Sequence, residues 1–210
     1  MNQLLMKRLA LSFCTVTLLA GTLTACVPLV LGGAVGGGAL IATDRRTSGT
    51  QLEDEGIELR ASSRLRSELG ERGHVNLTSY SRKILLTGEA PSEQDKKLIE
   101  QLVSRVENVN SVVNEIAVMS NSSLTQRSSD TLVTGRVKAM LIDAQDLQVN
   151  TFKVVTERGV TYLMGRVSQR EADRATQVVR STPGVLKVVR ILDIISEAEL
   201  ARMPAPSAKP

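Results

Sequence analysis

The sequence predicts an α+β fold in which one small unit occurs twice. Each copy has the element order helix, strand, strand, helix, strand. Two observations lead to this prediction: similar segments recur in both halves of the chain, and each copy changes from a helical spacing of apolar residues to a strand-like alternation. Two helices would then cover one face of a three-stranded mixed sheet in each copy.

The repeat is carried by matching segments. Residues 64–69 (RLRSEL) resemble residues 136–141 (RVKAML), and residues 84–90 (ILLTGEA) resemble residues 161–167 (TYLMGRV). The valines around the last strand also correspond: Val109, Val112 and Val113 in the first copy, and Val185, Val188 and Val189 in the second. The number of residues between these blocks differs by a few between the two copies. We therefore expect the insertions to lie in loops, where chains tolerate them.

Both helices of each copy have sequence signals. The first helix shows apolar residues about every four positions: Ile57, Ala61, Leu65 and Leu69 in one copy, and Val133, Val137, Leu141 and Ala144 in the other. The second helix is expected to start after Ser92 and Ser168, each followed by an acidic residue three positions later. The serine can accept a free backbone N–H, and the acid favours the positive end of the helix.

Three glycines are predicted to be structural. Gly88 and Gly165 lie at the end of the second strand of each copy, where glycine indicates a bulge or a close approach to a neighbour. Gly184 follows Pro183 and ends the second helix of copy two, while Asn108 stands at the matching place in copy one.

Two of these motifs resemble the BON domain family. The segments LMGRV (163–167) and GVLKV (184–188) match the family's pattern well. Copy one departs from it at Ala90 and Asn108. The resemblance extends from about residue 51 to residue 195. It predicts one domain over residues 51–120, a linker over residues 121–130 and a second domain over residues 131–196.

The resemblance also implies a function. Outer-membrane lipoproteins with two BON domains support outer-membrane integrity, bind anionic phospholipids such as phosphatidylglycerol and gather at the division site. A second interpretation stays open, in which the protein is a docking module for an envelope assembly machine, such as the one that inserts outer-membrane proteins.

The first 25 residues have the layout of a secretory signal peptide. Lys7 and Arg8 precede a short apolar stretch that ends in small residues. The sequence Leu-Thr-Ala-Cys at residues 23–26 resembles a lipobox, in which Cys26 receives diacylglycerol and an N-acyl chain. Several chains are needed because each buried CH2 contributes only ~0.8 kcal/mol. No other cofactor is expected.

The residue after the cysteine bears on location. Val27 replaces the aspartate that favours retention in the inner membrane, so we expect a protein anchored in the outer membrane and facing the periplasm. Residues 26–50 are expected to form a glycine-rich linker that leaves the lipid anchor. Residues 197–210, which are rich in proline and small residues, are expected to form a disordered tail.

Charge differs between the two copies. Removal of the signal peptide lowers the net charge from +4 to about +2, which is too mild for a nucleic-acid binder. Residues 50–120 carry nine basic and twelve acidic side chains, whereas residues 124–195 carry eleven basic and seven acidic ones. The second copy is therefore better suited to an anionic membrane, where each basic residue near the surface adds roughly 1 kcal/mol.

The first helix of copy two is the predicted phospholipid-binding element. Its candidate residues combine apolar and basic side chains, as an interfacial helix requires: Leu132, Val133, Arg136, Lys138 and Met140. In an alternative that stays open, Leu132 and Met140 pack against the other domain and the basic residues are only solvated.

The sequence offers no convincing catalytic or metal site. His74 is the only histidine and is interpreted as a solvated turn residue before a strand. The one cysteine of the mature chain is predicted to be acylated, and a serine nucleophile would lack a base. We therefore expect neither an enzyme nor a bound metal.

Overall fold

The structure is a computed structural model that describes residues 44–70 and 72–203. The predicted signal peptide, Cys26 and residues 26–43 of the predicted linker lie outside the described residues. The first domain contains two helices and four strands: α1 (Ser48–Leu69), β1 (His74–Tyr80), β2 (Lys83–Ala90), α2 (Glu93–Ser104), β3 (Ser111–Asn114) and β4 (Ala117–Val118).

The second domain repeats this order. Its elements are α3 (Leu124–Asp143), a 3-10 turn (Val149–Thr151), β5 (Phe152–Glu157), β6 (Val160–Ser168), α4 (Gln169–Arg180), β7 (Lys187–Ile195) and a short α5 (Glu197–Leu200). In both domains the first two strands are antiparallel and the last strand runs parallel to the second. The predicted α+β fold with mixed sheets and two covering helices is confirmed.

One difference concerns the last strand of the first domain. It is divided into β3 and β4, which both pair with β2, whereas β7 is continuous. The break lies at Ile116, whose side chain is fully buried in the core. Its backbone N–H donates to the Asn114 side chain at 3.2 Å, so it does not join the strand ladder.

The helix spacing predicted the cores correctly. The apolar residues that recur along α1 and α3 are buried against their own sheets. Ser92 accepts the backbone N–H of Asp95 at 3.0 Å, and Ser168 forms a reciprocal capping box with Glu171. Each domain thus buries one face of its sheet beneath its two helices.

Helix α3 begins at Leu124, so most of the predicted linker over residues 121–130 is helical. Ser123 caps the helix by accepting the backbone N–H of Gln126 at 3.2 Å. Asp130 is buried and accepts the backbone N–H groups of Arg158 and Gly159 at 2.9 and 3.0 Å. These polar contacts fix the first turns of α3, which carry too few apolar residues to be recognised by spacing.

The ends of the described chain also differ from the prediction. Residues 44–46 were expected to belong to a loose linker, but Arg45 and Arg46 make ion pairs with Glu171 and Asp54. The predicted disordered tail begins with helix α5, where Glu199 pairs with Arg166. Residues 204–210 lie outside the described residues.

The two domains pack together through the sheet faces that their helices leave free. Tyr80 and Leu85 of the first sheet form one buried cluster with Tyr162 and Met164 of the second. Polar contacts surround this cluster: Lys153 donates to Glu58 at 2.8 Å, and Lys83 donates to Asp193 at 2.6 Å. An apolar centre with a charged edge therefore joins the domains.

Candidate membrane-binding face and interdomain cluster

Helix α3 carries an exposed apolar residue on the side away from its core. Leu132 is 62% exposed, and it does not belong to the buried cluster that joins the two domains. Val133, which the sequence grouped with the lipid-binding residues, is only 4% exposed and belongs to the core of the second domain. Its inclusion was wrong, because consecutive residues of a helix point about 100° apart.

The other predicted residues lie on different sides of α3. Arg136 is exposed beside the turn at Gly184, and Met140 lies next to α4, near Arg174. Lys138 lies on the opposite side, in a groove that it shares with Tyr80 of the first domain. The set is therefore divided between the two edges of the helix, with Leu132 between them on its outer surface.

Three further exposed apolar residues were missed. Leu124 and Ile142 are exposed on α3, and Leu186 is 83% exposed in the turn before β7. Leu124 and Ile142 are 18 residues apart, which is five helical turns, so both point the same way. That spacing was readable in the sequence, but Leu186 is brought near α3 only by the fold. We call Leu124, Leu132 and Ile142, together with the basic residues Arg136 and Lys138 at the two edges, the α3 outer face.

Charge distinguishes this face from its counterpart. Neither Arg136 nor Lys138 makes an ion pair with any other described residue. The equivalent outer surface of α1 exposes Leu52 and Leu59, with the exposed Glu55 between them. Both domains thus expose leucines on the outer side of their first helix, with Glu55 between them on α1 and with Arg136 and Lys138 at the edges on α3.

The structural glycines lie where a side chain would collide with the backbone or the core. Gly88 has φ +104°, and a Cβ there would lie 2.0 Å from the carbonyl oxygen of His74. Gly184 has φ +97°, and a Cβ would lie 2.6 Å from Val133. A Cβ at Gly165 would lie 2.6 Å from the carbonyl oxygen of Thr151.

Arg45 connects the segment before α1 to the second domain. Its guanidinium donates to both carboxylate oxygens of Glu171 at 2.7 and 2.8 Å, and to the carbonyl oxygen of Arg166 at 2.9 Å. Burial alone would raise the pKa of Glu171, but Arg45 and the backbone N–H of Ser168 outweigh it and lower that pKa. The contact therefore requires an ionised Glu171.

Arg46 and Tyr80 form a second link. Arg46 pairs with Asp44 and Asp54, and its guanidinium lies 4.3 Å from the centre of the Tyr80 ring. The Tyr80 hydroxyl accepts the backbone N–H of Arg166 at 3.2 Å. Burial, helped by the negative charge of Asp44, raises the pKa of Tyr80 to about 12.

His74 is not the solvated turn residue that the sequence suggested. It opens β1, its side chain is 19% exposed, and its Nδ1 lies 3.2 Å from Oε2 of the fully buried Glu89. Ser122 also donates to Glu89, through its N–H and its hydroxyl, and Arg158 donates at 2.7 Å. Burial opposes the charge on Glu89, but these donors outweigh it and lower its pKa.

Glu157 of the second domain completes this group. Its Oε2 accepts the side-chain N–H of Asn76 at 2.8 Å, whereas its buried Oε1 has no hydrogen-bond partner. Burial raises the pKa of Glu157. One potential ligand atom from each of His74, Glu89 and Glu157 lies within 4.8 Å of the others. The sequence, which predicted no metal site, could not show that these three residues meet.

The chain contains two α–β–β–α–β units, each with a glycine near the end of its second strand. This arrangement defines a tandem BON-domain protein. The BON domain family matches residues 54–120 and 129–195, so the chain belongs to this family, as its motifs predicted. The outer membrane lipoprotein DolP of Haemophilus influenzae is 33% identical to it over 188 residues, which cover 89% of this chain and 95% of DolP.

Two other similarities are weaker. A 21 kDa hemolysin of Actinobacillus pleuropneumoniae is 32% identical over 154 residues, covering 72% of this chain and 79% of the hemolysin. The C-terminal domain of CdsD, a structural protein of the type III secretion system of Chlamydia trachomatis, is 11% identical. Its alignment covers 66% of this chain and 96% of that domain, with a TM-score of 0.29.

The prediction of an outer-membrane lipoprotein with a tandem repeat is confirmed by the similarity to DolP over most of both chains. The helices within residues 44–70 and 72–203 include none that is long and apolar enough to cross a membrane.

Proposed function

We propose that the second BON domain binds anionic phospholipid through the α3 outer face and thereby directs where the protein collects on the outer membrane. The lipid on Cys26 attaches the protein, and the α3 outer face selects membrane regions rich in phospholipids such as phosphatidylglycerol, including the division site. The role is non-catalytic and supports outer-membrane integrity.

The observation that carries this proposal is the exposed apolar and basic surface of α3. Leu132 and Ile142 are each 62% exposed, and Lys138 lies between them in the sequence. Burying a full leucine side chain contributes about 1.5–3 kcal/mol, and each basic residue near an anionic surface adds roughly 1 kcal/mol. A surface of this kind binds weakly on its own, which suits a protein that is already held by lipid.

Vesicle flotation tests the proposal. The chain from residue 26, with Cys26→Ser to remove the lipid, is mixed with vesicles that contain phosphatidylglycerol or only phosphatidylcholine. We expect binding to the anionic vesicles alone, and we expect Leu132→Glu to weaken it at least about tenfold, because the change removes an apolar anchor and adds a negative charge.

Leu59→Glu is the matched control. Leu59 is 72% exposed at an outer position of α1, so the same substitution is made on an equally accessible helix of the other domain. Vesicle binding should be unchanged in Leu59→Glu. Equal loss in both variants, or no loss in Leu132→Glu, would contradict the assignment of the lipid-binding face to α3.

The two modes of attachment predict different phenotypes in cells. Cys26→Ser should release the protein from the membrane fraction. Leu132→Glu should leave it in the membrane fraction but abolish its accumulation at the division site. If Leu132→Glu still accumulates at the division site, the α3 outer face does not direct localisation.

A protein-docking function is the alternative, and the outer surface of α1 favours it. Within residues 52–59, Leu52, Glu55 and Leu59 are exposed on one side of that helix, and this apolar and acidic stretch suits a basic protein partner rather than an anionic membrane. Site-specific crosslinking from residue 59 in cells would recover an envelope assembly protein if this function holds, and crosslinking from residue 142 would not.

A further inference from the structure

We propose that His74, Glu89 and Glu157 form a zinc-type divalent metal site that joins the two BON domains. His74 and Glu89 come from β1 and β2 of the first domain, and Glu157 comes from the end of β5 in the second. Their ligand atoms lie within 4.8 Å of one another. This site is independent of the α3 outer face and of the proposed lipid function.

The unsatisfied carboxylate of Glu157 is the first argument. Glu157 is 7% exposed, and its buried Oε1 has no hydrogen-bond partner. One oxygen of the same carboxylate lies within 4.8 Å of ligand atoms of His74 and Glu89. Buried polar atoms are nearly always hydrogen-bonded, because an unpaired one loses its solvation without compensation. A cation bound at Oε1 would provide the missing partner.

The donor set is the second argument. One imidazole and two carboxylates are ligands that Zn²⁺ accepts, whereas Mg²⁺ and Ca²⁺ prefer oxygen ligands alone. With bonds of about 2.0–2.2 Å, a tetrahedral zinc ion holds its ligand atoms roughly 3.5 Å apart. The 3.2 Å between His74 Nδ1 and Glu89 Oε2 is already close to that separation. A water molecule would occupy the fourth position.

The surroundings hold the ligands in place. Ser122 and Arg158 donate to Glu89, and Asn76 donates to Glu157, so each carboxylate is oriented by a neighbour. Such outer contacts are a regular feature of metal sites, since they fix the ligands before the metal arrives. The His74 side chain is 19% exposed, so the site can be reached from solvent at this residue.

The test is calorimetric titration of ZnCl2 into the chain from residue 26 with Cys26→Ser, which also removes the only thiol that could compete for zinc. We expect one zinc ion per chain with a Kd of about 1 µM or tighter and no comparable binding of Mg²⁺. At zinc concentrations 100-fold above the Kd, the midpoint of thermal unfolding should rise by about 5 °C or more.

Glu157→Gln and His74→Gln are the decisive variants. Each keeps the approximate size of the side chain and should weaken zinc binding at least about 100-fold, because loss of a ligand exceeds loss of an outer contact. Circular dichroism without zinc checks that both variants fold. Glu58→Gln removes a different interdomain carboxylate, the one that accepts Lys153, and should leave zinc binding unchanged.

The outcomes separate the metal site from its alternative, in which Glu157 is neutral because it carries a proton. In that case zinc binding is absent, and the proposal is overturned. It is also overturned if Glu157→Gln and His74→Gln bind zinc as tightly as the unsubstituted chain, or if Mg²⁺ binds as tightly as zinc.

Discussion

Arg45→Met should destabilise the folded protein by about 3 kcal/mol at pH 7. Arg45 and Glu171 are each 6% exposed in their side chains, so the substitution leaves a buried carboxylate without its cation. Breaking a buried pair in this way costs about 3–5 kcal/mol. Glu171 keeps the backbone N–H of Ser168 at 2.9 Å and its place at the positive end of α4, which favours the lower end of that range.

The assay is urea unfolding of the chain from residue 26 with Cys26→Ser. Arg190→Met is the matched control, because Arg190 pairs with Asp173 at 3.0 Å on the surface of the same domain, with side chains 49% and 60% exposed. An exposed pair contributes about 0–1 kcal/mol, so the control should be much less destabilised. Adding Glu171→Gln to Arg45→Met should recover part of the loss, since the unpaired charge is then removed.

The effect of Arg45 should also depend on pH. The folded state lowers the pKa of Glu171, so the stabilisation is present above the ordinary carboxylate pKa of about 4.3 and is lost as the pH falls through the lowered value. The difference between Arg45→Met and the unsubstituted chain should shrink accordingly in acid. Equal destabilisation by Arg45→Met and Arg190→Met at pH 7 would refute the reasoning.

Two further predictions concern the glycines and the tyrosines. Gly184→Val should lower the free energy of unfolding by about 2–4 kcal/mol, because φ is +97° and a Cβ meets Val133, whereas Gly135→Ala in the open middle of α3 should raise it by up to about 1 kcal/mol. Urea unfolding of the two variants checks the contrast, and destabilisation by Gly135→Ala would argue against the packing described for α3. Burial raises the pKa of both Tyr80 and Tyr162 to about 12, so an ultraviolet titration of these two tyrosines should show no ionisation step near pH 10 while the chain is folded. Stability that depends on the neutral tyrosines is present below pH 10 and is lost as the pH rises toward 12, and a step near 10 in the folded protein would show that the interface is open.

The repeat and the domain cores were predictable because local spacing determines them. The four-residue spacing of apolar residues that begins at Ile57 and Val133 indicates which side of each helix packs on its sheet, and these residues are buried there. Asn108 replaces the family glycine but still adopts φ +67°, a conformation that asparagine tolerates better than most residues. The departure from the motif therefore left the fold unchanged.

The interface between the domains was not predictable from the sequence. Side chains alternate between the two faces of a sheet along the strands of Tyr80 and Tyr162, as in any strand. Nothing in the sequence indicates that the faces carrying these two tyrosines pack against each other. Glu89 and Glu157 are far apart in the chain and carry no motif. Arg45 follows a glycine-rich stretch, so composition indicated a linker where the fold makes a buried ion pair.

The candidate lipid-binding helix was recognised, but the orientation of its side chains was only partly predicted. Leu132 is exposed as expected, whereas Val133 is buried and Lys138 lies on the side facing the first domain. Ile142 was missed because the regular spacing of the core residues dominates the apolar pattern of α3. The apolar residues on the opposite side of the helix are fewer and farther apart. Composition shows which of the two domains is basic. Only the packing of α3 shows which residues of that helix are exposed on its outer side.

In the proposed function α3, and not α1, meets the membrane, and a fluorescent probe tests this directly. With Cys26→Ser there is no other cysteine after residue 26, so Ile142→Cys and Leu59→Cys can each be labelled alone with an environment-sensitive dye. Both positions are well exposed, at 62% and 72%. Phosphatidylglycerol vesicles should shift the emission to shorter wavelength at residue 142 and leave it unchanged at residue 59. A shift at residue 59 alone, or at neither position, would contradict the account.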